Sequence, residues 1–488
     1  MTDPTPANQD GASAPGLTAA LAHFAATCAT PPAAALAIAR AGIIDACSLM
    51  LAGRDEAVVR ALAAELLADG TGPASVLLSG LRARPVDAAM INATATHALA
   101  MDDVAWSCHP SSMLTAALLA LGEERQASGL ELLTAYVVGY EVLAELVGRE
   151  PDALHATGWH PTSKIGPVAV AAACGRLLGL DAPRIAHAMG MAASFAGGLG
   201  ANRSSMTKSL HLGRVAANGV LAARLARRGV TAAGDALEGP QGYLMTLSPG
   251  KRVRRDGPPG MAQGLRILTT GLNVKRYPVC YTTHRVVDAA ARLHGRADAP
   301  LEAVTRVQVR LGKLQARIAQ WHRPTTPREA KYSVEFAAAS GLVAGTAGFA
   351  QLRQEFIDDP RVRRLIGATE IELIEEAGDD DPVFAPADSV RLTLASGQSV
   401  DSGPVEFAQG HARLPMAGAA LRAKFIDCAG AGGVAAAARL YDRLADLDKM
   451  ASVAQIAALV ADCDDRGACA LQRRLGPAHS TESGENHA

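Results

Sequence analysis

Gly158-Trp159-His160-Pro161-Thr162-Ser163 and Met206-Thr207-Lys208-Ser209-Leu210-His211-Leu212-Gly213-Arg214 are the stretches from which the fold is most directly read. Each puts an ionisable side chain at a break in the chain, just before an alanine-rich run of helical character. Helix N-termini present unpaired N–H groups and a partial positive charge, and so attract anions. A lysine and a histidine at such ends, joined by others from elsewhere, suit a carboxylate. The expectation is a helical scaffold holding an anion site.

Composition agrees. Hydrophobic residues make up 49% of the 488 and aromatics only 4%, so the core must be aliphatic. Alanine favours helix and lets helices approach closely. The net charge of −1 implies neither nucleic acid nor an anionic membrane as partner. Met1–Pro15 lacks a basic-then-apolar signal pattern, and no unbroken apolar run reaches the ~18 residues of a membrane span. Eight cysteines stand singly, which reads as reduced thiols. A cytoplasmic protein is expected.

Outward from the opening stretches, Leu17–Leu67 reads as three helices, Ser75–Leu78 as a short extended piece and Pro85–Met101 as a helix. A loop with Asp102, Asp103, Trp106, Cys108 and His109 leads to a helix capped by Ser111 or Ser112. Helices are expected at 130–148, 166–178, 183–196 and 213–228. The texture changes at the basic Lys251–Arg255 and at Gly257-Pro258-Pro259-Gly260. Val304–Leu311 alternates with period two, as a strand does. Residues 390–394 and 399–405 read as a hairpin, and Ser333–Val343 as a helix. Helices resume after Pro415.

Several signatures are missing. Gly198-Leu199-Gly200 lacks a third glycine, and Gly430-x-Gly432-x-x-Ala435 lacks the strand a dinucleotide loop requires. Cys463 and Cys469 form a lone pair, and the histidines lack zinc-type spacing. What remains is a set of loop residues, each with a plain structural alternative. Asp102 and Asp103 could end a helix, His160 could bond backbone, and Lys275-Arg276-Tyr277-Pro278 with His284 could be a solvated turn. Lys208 is the exception, because a cation at a helix start is disfavoured unless an anion binds there.

Five blocks together resemble the MmgE/PrpD family. They are His97–Asp103 with His109-Pro110-Ser111, Gly158–Thr162, Met206–Arg214, Lys275–Cys280 with His284, and Ala330-Lys331-Tyr332-Ser333-Val334-Glu335-Phe336. The resemblance implies a mainly α protein with an α+β part: a large all-helical domain built from both chain ends (16–264 and 412–475) and a smaller α+β lid domain (265–411). Polar tails at 1–15 and 476–488 are expected to be disordered. It further implies a homodimer, no metal and no cofactor, and a small di- or tricarboxylate substrate. His109, His160, Lys208, Lys275 and Asp102 are the implied catalytic set. Asp103, His211, Arg214, Arg276, Cys280, Tyr281 and Phe336 are the implied substrate-binding set. Where the family usually has an aspartate three residues after the first histidine, this chain has Ala100; Val104 stands where a threonine is common. The expected activity is that of a lyase dehydrating a hydroxy-di- or tricarboxylate. Epimerisation and decarboxylation are sibling reactions, and a catalytically idle carboxylate-binding dimer is the reading from another class.

Overall fold

The computed structural model describes residues 15–67, 71–152, 158–378, 383–416, 418–429 and 434–461. The tails, the Gly430–Gly432 glycines and the Cys463/Cys469 pair fall outside these residues.

The helical body begins with α1 (Leu17–Thr27), α2 (Ala33–Ala52) and α3 (Ala57–Leu67), then a two-residue ladder, β1 (Ala74–Ser75) against β2 (Arg82–Ala83). Six further helices follow: α4 (Pro85–Ala98), α5 (Pro110–Arg125), α6 (Gly129–Arg149), α7 (Pro161–Leu177), α8 (Ala182–Ser194) and α9 (Thr207–Arg227). Their starts have local causes. Ser128 and Glu131 form a reciprocal capping box on α6. Pro85, Pro110 and Pro161 occupy the first turns of α4, α5 and α7, where a missing N–H costs nothing. Small residues allow close crossings: a Cβ on Gly213 of α9 would come within 2.2 Å of Thr94 Oγ1 on α4.

Ala33–Asp55 is apolar and long enough to cross a membrane, yet 72% of its central window is buried inside the protein. It is the core helix α2. One hydrophobic core runs from Leu17 to Val274 and resumes from Leu421 to Ile456, on the helices Gly418–Ala429, Val434–Ala445 and Ala454–Ala461. This core, mainly helical with the one short ladder, thus draws on both ends of the chain.

A second core spans Tyr277 to Val405. Its sheet has the order β4-β3-β5-β6, with β3 (Val304–Gly312), β4 (Thr369–Ile374), β5 (Ser389–Leu394) and β6 (Ser399–Asp401). The alternating strand forms where expected, and so does the hairpin, except that its second arm ends at Asp401 rather than 405. The parallel edge strand β4 was not foreseen, because its pattern is half-exposed along its whole length. Other starts also differ from expectation. α7 begins at Pro161 rather than 166, and α9 at Thr207 rather than 213, so Lys208 and His211 sit on the helix itself. Ser111 and Ser112 do not cap α5; His109 holds that position, and both serines turn inward to aspartates.

Candidate active site

Two His-Pro pairs build the centre. His109 and His160 are the N-cap residues of α5 and α7, each directly before the proline at the first helical position. Proline pushes the preceding residue away from helical geometry. Neither imidazole caps its own helix, so both rings are free for other partners. The two loops are tied together, because the His109 backbone N–H donates to Thr162 Oγ1 at 3.1 Å.

The chain reaches His109 through a tight reversal. Ala105 and Cys108 exchange backbone hydrogen bonds, and Trp106 and Ser107 between them both have positive φ. That reversal folds Asp102 and Asp103 back under the ring. Asp102 Oδ2 accepts from Ser112 Oγ at 2.5 Å and lies 2.7 Å from His97 Nδ1 and 3.3 Å from His109 Nδ1. His109 Nδ1 is also 2.9 Å from the Asp103 carbonyl oxygen. Both Nδ1 atoms therefore carry the proton, leaving Nε2 of each ring as a lone-pair base. Asp103 turns the other way, onto Ser111 Oγ at 2.7 Å, and Ser111 Oγ in turn meets Tyr136 OH at 2.6 Å.

His160 packs over His211, with Nδ1 atoms 3.3 Å apart. The glycine stretch once considered for nucleotide binding serves this loop instead. Gly198 O accepts from His160 N at 3.0 Å, and Gly200 N donates to Gly158 O at 2.8 Å. Gly198 has φ +140, and a Cβ there would lie 2.0 Å from Ser163 Oγ, so only glycine fits.

Lys208 enters from the first turn of α9, half-buried; its backbone N–H donates to Ser205 O at 3.1 Å, and its ammonium makes no hydrogen bond among the described residues. Lys275 is buried and donates to Ala100 O at 2.7 Å. Burial, then the Lys275 charge, pull the Lys208 pKa down to about 8. Burial lowers Lys275 as well. Burial also lowers His97, His109, His160 and His211, keeping the imidazoles neutral at physiological pH. Burial opposes ionisation of Asp102, but the Nδ1–H groups of His109 and His97 that face it, with the Lys275 charge, outweigh burial and hold the carboxyl well below the usual range. Asp103 has no such help: burial drives it up to about 8, against its bonds from Ser111. One aspartate is charged and its neighbour is a neutral acid.

His97, His109 and His160 each offer a ring nitrogen, all within 4.8 Å of one another. Sequence spacing concealed this cluster because the rings come from three separate helix ends. By residue type the set could ligate a cation; the charges of Lys208 and Lys275, felt by these rings, oppose one.

Of the remaining implied residues, Cys280 is half-buried, with Sγ 3.2 Å from Thr282 Oγ1. Tyr281 packs edge-on against His284 at 5.1 Å and Phe384 at 5.7 Å. Arg276 leans over the Tyr277 ring, 5.5 Å from its centroid. Two assignments are corrected. Phe336 is wholly buried in the second core against Phe356, since the helix Val334–Ala344 turns that face inward. Arg214 is exposed on α9, on a different face from Lys208. Sequence reasoning gave no site role to His97 or Lys424 and made Ser112 only a helix cap; His97 at the end of α4, five residues before Asp102, was the available signal.

Two family models match the chain, the MmgE/PrpD N-terminal domain at residues 19–256 and the C-terminal domain at 277–447. The chain belongs to the MmgE/PrpD family. Among curated MmgE/PrpD relatives, it is similar to the cis-aconitate decarboxylase of Homo sapiens, 31% identical over 71% of this chain and 73% of the relative. The Mus musculus enzyme of the same name is 29% identical over 70% and 72%, and that of Aspergillus terreus 28% over 79% and 84%. These relatives are lyases by name, in line with the lyase class expected here.

Proposed function

We propose that this protein is a lyase of small, multiply charged carboxylates, and that its reaction is decarboxylation of an unsaturated tricarboxylate of the cis-aconitate kind. The observation that carries the reading is the meeting of Lys208 and Lys275 beside neutral imidazoles. Two ammonium groups close enough for the charge of Lys275 to depress the pKa of Lys208 are relieved by a polyanion. The substrate supplies that charge.

In the reaction, the bond from carbon to the departing carboxylate breaks, CO2 leaves, and its electron pair stays on the carbon framework. Lys275 and Lys208 hold the remaining carboxylates and stabilise that charge. A proton then ends on carbon. Lys208, with its pKa near 8, is a far stronger acid than an ordinary lysine and is the proposed donor. Water replaces the proton consumed on carbon: His109 Nε2, backed by ionised Asp102, takes it from solvent and passes it to the neutral Lys208, so that one proton is used for each CO2 released.

A second reading is dehydration, the reaction first expected from the sequence. It is favoured by the same pairing of an acid (Lys208) with a carboxylate-backed base (His109), because elimination of water needs both. Proton NMR in D2O with cis-aconitate, citrate and methylcitrate separates the readings. CO2 release from cis-aconitate, with deuterium at a new methylene, is the expected result. Vinyl signals from the hydroxy acids without CO2 would replace it by dehydration, and no turnover of any of the three would overturn both.

A further inference from the structure

The loop Ala100–Asp103 carries the ionised Asp102 and has an unfavourable backbone, with Ala100 at φ 56. Alanine gains nothing in the left-handed region, so surrounding contacts must hold it there. Two buried lysines from distant parts of the chain do so on consecutive carbonyls. Lys275 Nζ donates to Ala100 O at 2.7 Å, and Lys424 Nζ donates to Met101 O at 3.3 Å. Lys424 lies on the helix Gly418–Ala429, which returns from the C-terminal end of the chain. Its ammonium is itself held by Asp45 of α2 at 2.5 Å, both side chains being almost wholly buried. The Met101 side chain packs between Leu49, Cys428 and Phe349, so its carbonyl is fixed from both sides.

We propose that Lys424 is a positioning residue for this site. Paired with Asp45, it clamps Met101 O so that the Asp102 carboxylate faces His97 and His109. The ion pair alone would be a poor explanation of its burial, since buried pairs rarely stabilise more than apolar residues of the same volume. What an apolar pair could not supply is the donor to Met101 O. Lys275 sits at the candidate pocket and can serve substrate as well; Lys424, pinned between α2 and the loop, acts only through Asp102.

This inference rests on the reading that Asp102 and its histidines handle the proton, and the test separates the two. Lys424→Met combined with Asp45→Leu removes both buried charges and the bond to Met101 O. The double variant is expected to keep its thermal midpoint near the parent's. Its kcat falls about 10- to 100-fold with little change in KM, because small displacements of a reacting group are costly. Nitrogen-15 NMR of labelled histidine reads positioning without any turnover: the His97 and His109 Nδ1–H signals shift or broaden. Asp45→Asn gives the reverse pattern, a lower midpoint with most of kcat retained, since the amine still donates to Met101 O. Should the double variant fail to fold, Lys424→Leu with Asp45→Asn serves in its place, with the same expected loss of kcat, since leucine offers no donor to Met101 O. Parent-like kcat and histidine signals in a folded double variant would overturn the proposal. Unchanged turnover in Asp102→Asn, with the NMR shifts still present in the double variant, would instead overturn the proton-handling reading and leave the positioning intact.

Discussion

His109 and His284 occupy similar contexts in the chain and opposite ones in the molecule. Each follows a short loop, with a cysteine close before it, and each stands at the start of a helix. His109 has a carboxylate and a carbonyl behind Nδ1 and a free Nε2 in front. His284 is sealed between Tyr277 and Tyr281, each 5.1 Å from its ring, with Nε2 3.3 Å from the Val279 carbonyl and no carboxylate behind it. Burial, then the Lys275 charge, push its pKa down to about 3. A histidine in a family block is thus not yet a functional one. The anion behind the ring and the open nitrogen in front make the difference.

The largest test of that contrast is a pair of substitutions. His109→Gln is expected to lower kcat about 10²- to 10⁴-fold, the usual scale for removing a proton-transfer group, with a nearly unchanged thermal midpoint. His284→Gln should do the opposite, leaving kcat within a few-fold while costing about 1–3 kcal/mol in denaturant unfolding. Equal losses of turnover in both variants would break the distinction. Gly198→Ala should come next, lowering stability and turnover together, because the new Cβ meets Ser163 Oγ and displaces the His160 loop.

A smaller effect is set by Lys208. With substrate, KM should rise as pH climbs through about 8, when the unliganded lysine loses its charge. Without substrate, the sign for stability is reversed. The folded lysine releases its proton near 8, while the unfolded one holds it to about its ordinary 10.5. Between those values the unfolded state binds more protons, so the folded protein gains stability as pH rises. Thermal midpoints of parent and Lys208→Met across that window check this, since the gain should be smaller in the variant, where only other lowered lysines such as Lys275 remain. Smallest of all, Arg214→Ala should leave kcat and KM within error, because Arg214 lies exposed on a face of α9 away from Lys208. A rise in KM would return it to the site.

The sequence by itself determined the helical body, the strand Val304–Leu311, the hairpin and the family, because periodicity, proline-led helix starts and block order are local properties of the chain. It also singled out His109, His160 and Lys208, which lie at helix ends, whereas Lys275 lies in a loop and was marked by the family block alone. Other features depended on distance across the fold. Which aspartate is charged was decided by burial and by the histidines that gather around Asp102 and leave Asp103 to Ser111. That Gly197–Gly200 braces a histidine loop, that Phe336 belongs to a core, and that Lys424 reaches Met101 from 323 residues away all required the tertiary structure. Electrostatic character is set by neighbours in space, and the chain order of this protein hides most of them.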